Sequence, residues 1–188
     1  LAWAPLALVA LALWLLPPYR IPTASMRDTL LPGDRVLVWR GAWSVPLPFG
    51  GHAGAVALPA RGALVAFRAP LDPAHEYVKR CVALPGDVVE IRHKRLFVNG
   101  AAASEPYARH FDPHLRAGGY DYRDEFGPAV VPPGKMFVLG DNRDDSDDSR
   151  FFGAVPFDRL TGAPLVIYWS WDPDARRPRW NRLLRRPA

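Results

Sequence analysis

A serine and a lysine are the residues of this sequence that could perform nucleophilic chemistry together. Ser25 lies in a stretch of small residues, 22–34, which a Pro32-Gly33-Asp34 turn closes. Lys79 lies in an apolar run of β type, residues 76–84. A lysine that is buried in apolar surroundings has a depressed pKa, and its neutral amine can take the proton from a serine hydroxyl. The pair is therefore a candidate nucleophile and general base.

Each of these residues also has a purely structural interpretation. Ser25 and Asp28 have the spacing of a capping box, so Ser25 could cap a helical turn. Lys79 and Arg80 are adjacent on a predicted strand, so their side chains point to opposite faces, and Lys79 shares its face with Tyr77. If that face is exposed to solvent, Lys79 is an ordinary surface lysine. Taken one at a time, the two residues leave both interpretations open.

A charged loop, Asp141-Asn-Arg-Asp-Asp-Ser-Asp-Asp-Ser-Arg150, follows a predicted strand at 135–140. We name residues 141–150 the acidic loop. A calcium-binding loop would need a glycine where Ser149 stands and a later glutamate, and it has neither. Arg143 and Arg150 bracket the acids, and apolar segments flank both ends, which is not typical of a solvated charge run. We predict a folded loop, held by internal charge-assisted hydrogen bonds, that supports a neighbouring site.

We predict that these residues are held in position mainly by β-strands. The chain has 188 residues, and its 21 prolines and 15 glycines favour one β-rich, loop-rich domain with an antiparallel sheet. Residues 41–54 are predicted to form an irregular loop, and residues 101–130 a variable excursion from the core. Besides 76–84 and 135–140, strands are predicted at 34–40, 61–67 and 88–91, and a hairpin at 94–100 turns at Asn99-Gly100.

The N-terminus is uncharged and apolar from Leu1 to Leu16. We predict a transmembrane anchor over residues 1–17, truncated at its start because no initiator methionine precedes it, and a catalytic domain over 18–188. A buried core helix is the alternative. Ser25 follows Leu16 by nine residues, a span of roughly 30 Å at most, so it would lie close to the membrane surface.

Charge and the remaining polar residues exclude several classes of site. The net charge is +5, but apart from the tail the basic residues do not form one stripe among aromatics, so nucleic acid is not predicted as a partner. The basic tail, 176–186, is either a disordered solvated end or a contact with anionic lipid headgroups. A single cysteine, Cys81, permits no intramolecular disulfide. His110 and His114 have Pro113 between them and no acidic helper, so no metal site is predicted.

Several segments of the chain, in the same order, resemble the bacterial type I signal peptidases, the membrane-bound Ser/Lys endopeptidases of the peptidase S26 family. The resemblance covers nearly the whole chain apart from residues 41–60 and 101–130. The acidic loop with its flanking glycines is its most specific part. The matching segments are residues 22–34 with Ser25-Met26, the strand that ends at Ala66-Phe67, residues 77–87, residues 140–153 and the C-terminal Arg179-Trp-Asn-Arg182.

The resemblance implies a role for each matching residue. Ser25 would be the nucleophile and Lys79 the general base, while the Ser25 N–H and the Thr23 hydroxyl would form the oxyanion hole. Ser146 would orient the lysine, and Met26 would contact the substrate. The acidic loop would be braced by Asp141, Arg143, Asp148 and Arg150. No cofactor or metal is implied.

The resemblance also implies the biological setting. The substrates would be signal peptides of secreted preproteins, cut after small residues in an Ala-x-Ala pattern. The protein would be a single-pass protein of the cytoplasmic (inner) membrane with its catalytic domain on the extracytoplasmic side, and its partners would be the bilayer and a nearby secretion translocon.

The sequence departs from the family pattern at two positions, and other functions also fit it. Asp28 stands where the family usually has proline, and we expect its carboxylate to point to solvent or to Arg27; Ala63 stands where the family often has aspartate. Self-cleaving repressors of the SOS-response type also use a Ser/Lys pair. These repressors are soluble, however, and the apolar segment 1–16 argues against that function. A specialised processing peptidase with one dedicated substrate, or an inactive membrane-anchored scaffold of the same fold, would also fit the sequence.

Overall fold

Antiparallel strands make up most of the chain. The structure is a computed structural model that describes residues 3–43, 45–47, 52–53, 57–116 and 121–188. Two α-helices are present in these residues, α1 (Ala4–Leu15) and the single turn α2 (Ser149–Phe152). The strands are β1 (Pro18–Arg20), β2 (Asp34–Trp39), β3 (Val45–Pro46), β4 (His52–Ala53), β5 (Leu64–Arg68), β6 (Glu76–Ala83), β7 (Val88–Arg92), β8 (Arg95–Val98), β9 (Ala101–Ala102), β10 (Phe126–Val130), β11 (Lys135–Leu139), β12 (Val155–Pro156), β13 (Leu160–Asp172) and β14 (Arg177–Pro178).

The strands form one large sheet and two smaller ones. The large sheet has the order β1-β2-β13-β5-β6-β11-β12, and β14 pairs with the end of β13. A second sheet has the order β10-β7-β8-β9, and β3 pairs with β4. Every strand pair is antiparallel. The predicted mainly antiparallel β fold is therefore confirmed for the part of the chain described.

The predicted strands are present, with boundary shifts of a few residues. Asn99 and Gly100 have φ values of 53° and 80°, which is the backbone of a two-residue turn between β8 and β9, as predicted. The segment predicted as an irregular loop, 41–54, instead contains the short hairpin β3–β4, and the rest of that prediction falls partly outside the described residues. Residues 101–130 contribute β9 and β10 to the second sheet.

The core lies directly beneath the segment that carries Ser25. Met26 and Leu30 are buried there among side chains of β2 and β13, such as Val36 and Ile167. β2 alternates buried residues with exposed or partly buried ones, because one of its faces packs on this core. A neighbouring cluster buries Cys81. The turn before β2 is thus anchored by its own apolar side chains.

The N-terminal segment forms an apolar helix. α1 has 12 residues, which corresponds to a length of about 18 Å. No helix within the described ranges is both long and apolar enough to cross a membrane. The single-pass anchor over residues 1–17 remains a prediction.

The basic tail folds onto the large sheet. The Arg182 guanidinium donates to the buried Asp34 carboxylate, with an Nη2–Oδ2 distance of 2.6 Å. Arg179 forms a salt bridge with Asp172, and the Trp180 ring packs edge-on against Trp169. A disordered solvated end is therefore wrong for this part of the tail, because its arginines have carboxylate partners on β2 and β13.

Candidate functional site

Ser25 lies in a tight turn between β1 and β2. Its hydroxyl is 3.2 Å from the Thr23 hydroxyl, and the Arg27 N–H donates to the Ala24 carbonyl. The capping box considered for Ser25 is not formed, since the serine hydroxyl bonds to Thr23 instead. Met26 is 2% exposed and fixes the turn to the core. Ser25 itself is half-buried, so the turn leaves this residue partly accessible to solvent.

Lys79 is buried on β6. It is 4% exposed, its Nζ donates to the Ser146 hydroxyl at 3.0 Å, and the Tyr77 ring centre lies 5.7 Å from Nζ. Lys79 forms no salt bridge with any residue in the described part of the chain. Burial lowers the pKa of Lys79 to about 8, although the nearby carboxylate of Asp148 acts to raise it. The surface-lysine interpretation is therefore wrong, and a substantial fraction of the amine is neutral near pH 8.

One cleft brings Ser25 and Lys79 together. It encloses about 290 Å³, and residues 19–22 form one wall while residues 75–78 form the other. Thr23, Met26, Asp145 and Asp147 also line it. Within the described ranges, no hydrogen bond joins Ser25 to Lys79, and the lysine amine donates instead to Ser146.

Gly140 allows the acidic loop to lie against the turn that carries Ser25. A Cβ atom at this position would lie 2.2 Å from the Ser146 Oγ and 2.6 Å from the Ser25 carbonyl oxygen. Any side chain here would therefore push apart the serine that holds Lys79 and the turn that carries Ser25. The glycine before the acidic loop is required by close packing at the site.

Arg80 braces the first residue of the acidic loop. The Arg80 guanidinium makes a bidentate pair with the Asp141 carboxylate, with Nε–Oδ1 and Nη2–Oδ2 distances of 2.8 Å and 2.6 Å. Thr29 donates to the same carboxylate at 2.5 Å, and the Tyr107 ring stacks on the guanidinium at 3.8 Å. Arg80 and Asp141 are both buried. The sequence predicted a brace within the acidic loop, and this one comes from β6 instead.

Asp148 and Arg150 form the internal brace that was predicted. Two hydrogen bonds of 2.8 Å join the Arg150 guanidinium to the Asp148 carboxylate, which also accepts the Gly140 N–H at 3.0 Å. Burial acts to raise the pKa of Asp148, but the hydrogen bonds from Arg150 and Gly140 outweigh it and hold that pKa below its usual value. The carboxylate is charged at the pH where Lys79 becomes neutral.

The third brace joins the acidic loop to residues 101–116. Arg143 pairs with Glu105 through both of its terminal nitrogens, and its Nε donates to the Gly140 carbonyl at 3.1 Å. The prediction of an internal partner is wrong for Arg143, because its carboxylate partner lies 38 positions away. Sequence reasoning gave no signal for Glu105, Arg80 or Thr29, since nothing local in the sequence identifies such distant partners.

Asp28 also differs from expectation. Its carboxylate pairs with Arg109, at an Nε–Oδ2 distance of 2.7 Å, and not with Arg27, whose guanidinium lies over the Phe111 ring. Asp28 has φ of 79°, a left-handed backbone that proline cannot adopt. The aspartate where the family usually has proline therefore accompanies a different local backbone, and its charge is neutralised away from Lys79.

Comparison with known proteins gives a consistent set of matches. The family model described as "Signal peptidase, peptidase S26" matches residues 1–169. The chain is 35% identical to a signal peptidase I of Pseudomonas fluorescens over 84% of this chain and 66% of the relative. It is 36% identical to signal peptidase I S of Bacillus subtilis over 92% of this chain and 90% of the relative.

Coverage differs between these relatives. The chain spans about two thirds of the length of the Pseudomonas proteins, whereas it spans most of the Bacillus proteins. A crystal structure of a signal peptidase I from Enterococcus faecalis V583 is 34% identical, with a TM-score of 0.47, over 58% of this chain and 98% of that one.

Proposed function

The chain belongs to the peptidase S26 family of signal peptidases, and we propose that it removes signal peptides with Ser25 as nucleophile and Lys79 as general base. One observation carries the assignment of the two residues. A buried lysine with no carboxylate partner in the described part of the chain, and with a depressed pKa, lines the same cleft as a serine in a tight turn. Such an amine is the base that a serine hydroxyl requires.

The cleft residues can carry the proton through the whole reaction. Neutral Lys79 takes the proton of the Ser25 hydroxyl as its oxygen attacks the scissile carbonyl, and the resulting ammonium then protonates the leaving amine. A water molecule, activated by the same amine, hydrolyses the acyl-enzyme. The oxyanion of each tetrahedral intermediate is stabilised by the Ser25 N–H and the Thr23 hydroxyl. Ser146 holds the lysine amine in place throughout.

The shape of the cleft supports an extended substrate with small side chains. The two walls are chain segments that can hydrogen-bond to a peptide laid between them, as an added strand does. Ile21, Val78 and the buried Met26 give the cleft an apolar lining. Small residues before the scissile bond, in the Ala-x-Ala pattern, fit such shallow surfaces.

Membrane attachment is the further part of the proposal. Apolar side chains of α1, such as Leu6 and Val9, are exposed to more than half of their surface, and a lipid bilayer would cover them. We assign residues 1–17 to the anchor and 18–188 to the catalytic domain on the extracytoplasmic side. Ser25 would then act close to the bilayer, where a translocon delivers preproteins.

The test is cleavage of a preprotein with an Ala-x-Ala site, in detergent or lipid. Wild type should cut it after the second alanine, and both Ser25→Ala and Lys79→Ala should reduce the rate to background. Lys135→Ala, at a half-buried lysine outside the cleft, is the matched control and should retain the wild-type rate. Activity that survives either cleft substitution would refute the dyad, whereas cleavage of only one preprotein in a panel would favour a dedicated peptidase.

A further inference from the structure

Asn142, in the acidic loop, forms two hydrogen bonds with the turn that carries Ser25. Its backbone N–H donates to the Ser25 carbonyl at 3.1 Å, and its side-chain Nδ2 donates to the Ala24 carbonyl at 3.1 Å. Asn142 is 4% exposed. Two consecutive carbonyl groups of the turn that carries Ser25 therefore accept hydrogen bonds from one buried residue, and the Ala24 carbonyl also accepts the Arg27 N–H at 3.0 Å.

The bond to Ala24 has a consequence for the next N–H. The Ala24 carbonyl and the Ser25 N–H belong to the same planar peptide group and point in opposite directions. A donor that fixes the Ala24 oxygen therefore fixes the direction of the Ser25 N–H as well. That N–H is the backbone donor of the proposed oxyanion hole, and oxyanion donors act only when their direction is set before the reaction.

The side-chain amide of Asn142 does not form all the hydrogen bonds that it could. Its Oδ1 is buried and has no hydrogen-bond partner among the residues that the structure describes. A buried acceptor without a partner costs free energy, and an apolar side chain of similar size would avoid that cost. The donor of the same amide, in contrast, has a partner in the Ala24 carbonyl.

The backbone on both sides of Asn142 is held firmly. Arg109 N–H donates to the Asp141 carbonyl at 2.7 Å, and Arg143 N–H donates to the Arg109 carbonyl at 3.0 Å. The Asp141 side chain is also held by Arg80. Asn142 is thus a donor on a rigid support.

We propose that Asn142 is a positioning residue that orients the Ser25 N–H toward the oxyanion. The proposal rests on the proposed function, because it assigns a role within the same site. Asn142 does not touch the reacting atoms, so its loss should weaken the transition state and leave substrate binding unchanged.

The experiment compares Asn142→Ala with wild type and a matched asparagine control. Asn99→Gly also removes an amide that makes two hydrogen bonds, outside the cleft, and keeps a positive φ. For Asn142→Ala we expect kcat to fall about 10- to 100-fold, with KM within about twofold. A peptide aldehyde ending in an Ala-x-Ala sequence forms a hemiacetal with Ser25, and its affinity should fall by a similar factor. Asn99→Gly should leave all three values at the wild-type level.

Each outcome is decisive. A kcat within about threefold of wild type, or a loss of kcat with unchanged aldehyde affinity, would overturn the proposal. Asn142→Asp, which keeps the shape and replaces the donor with an oxygen, should show the same losses if the alanine variant does not fold. Unfolding of both variants would assign Asn142 to stability alone. A wild-type enzyme that cleaves nothing would instead refute the proposed function.

Discussion

Lys79 and Arg80 are neighbours on β6, and each is 4% exposed, yet their surroundings are opposite. Arg80 makes a bidentate pair with the buried Asp141 carboxylate. Lys79 has only the neutral hydroxyl of Ser146 as a hydrogen-bond partner for its amine among the described residues. The strand thus places two basic side chains on opposite faces: Arg80 is compensated, because it is paired with a carboxylate, and Lys79 is uncompensated, because it is not.

The difference follows from what each side chain can do. A guanidinium remains protonated in proteins, so a buried arginine requires an anion, and the planar fork of Arg80 matches a carboxylate. An ammonium can lose its proton when burial makes the charge costly, and a neutral amine is a base. Arg80 therefore serves the architecture of the site, and Lys79 has the properties that its proposed role as a base requires.

The acidic loop connects the two faces. Asp141 faces Arg80, and Ser146, five positions later, faces Lys79. A loop that is fixed by its charged pairs can hold a hydroxyl at hydrogen-bond distance from the amine without bringing a carboxylate to it. The pairs Asp148–Arg150 and Arg143–Glu105 complete that arrangement, because they fix the acidic loop at two further points. The Arg150 cation also opposes the effect of the Asp148 carboxylate on the pKa of Lys79.

The largest effect is expected from breaking the compensated pair. Arg80→Met leaves the Asp141 carboxylate buried without its cation, and the free energy of unfolding should fall by about 3–5 kcal/mol. Urea denaturation measures it. Arg92→Met, which breaks an exposed pair with Glu90, is the control and should cost less than about 1 kcal/mol. Equal losses in the two variants would show that burial of the Arg80 pair is unimportant.

Removing the uncompensated cation should have the opposite sign. The pKa of Lys79 falls from 10.5 to about 8 on folding, so the unfolded chain binds more protons between these values and stability rises with pH across that window. Below pH 8 Lys79 is protonated in the native state, and burial of its charge lowers the free energy of unfolding by about 3 kcal/mol. Lys79→Met should therefore be more stable than wild type at pH 7 by up to that amount, while being inactive.

Denaturation at pH 7 and at pH 10 tests the sign. The advantage of Lys79→Met should be largest at pH 7 and should shrink as wild-type Lys79 becomes neutral. An advantage that stays constant with pH would mean that it arises from packing and not from the buried charge. A variant that is less stable than wild type at pH 7 would show that the amine is not desolvated.

The pH dependence of cleavage sharpens the same comparison. In the proposed mechanism only the neutral amine accepts the serine proton, so kcat/KM should rise about tenfold per pH unit below 8 and level off above it. At pH 6 the rate should be about 100-fold below the plateau, while circular dichroism shows a folded enzyme. A midpoint near 10 would indicate a lysine with an ordinary pKa and would contradict the burial argument.

The strands, and the candidate pair Ser25 and Lys79, could be proposed from the sequence because their signals are local. β-branched runs between glycine and proline turns indicated β2, β6 and β7, and the acidic loop was recognisable by its composition. β13 was not predicted, since Gly162 and Pro164 interrupt its pattern, and it is a strand only because β2 and β5 pair with it.

The partners of the buried charges could not be predicted, since they depend on tertiary contacts. Arg80 is 61 positions from Asp141, and several carboxylates of the acidic loop were available to it. Nothing in the sequence distinguishes Asp141 from Asp144 or Asp145 as its partner. The left-handed backbone of Asp28 was equally hidden, because a proline at that position in relatives suggested the opposite conformation.

The smallest effect is expected at the exposed pair between Asp28 and Arg109. Both side chains are more than two-fifths exposed, so Arg109→Gln should change the free energy of unfolding by less than about 1 kcal/mol. It should also leave the pH midpoint of cleavage unchanged, because the Asp28 carboxylate faces Arg109 and not Lys79. An alkaline shift of that midpoint would show that an unpaired Asp28 reaches the amine. The isolation of Lys79 would then depend on a surface charge pair as well as on its burial.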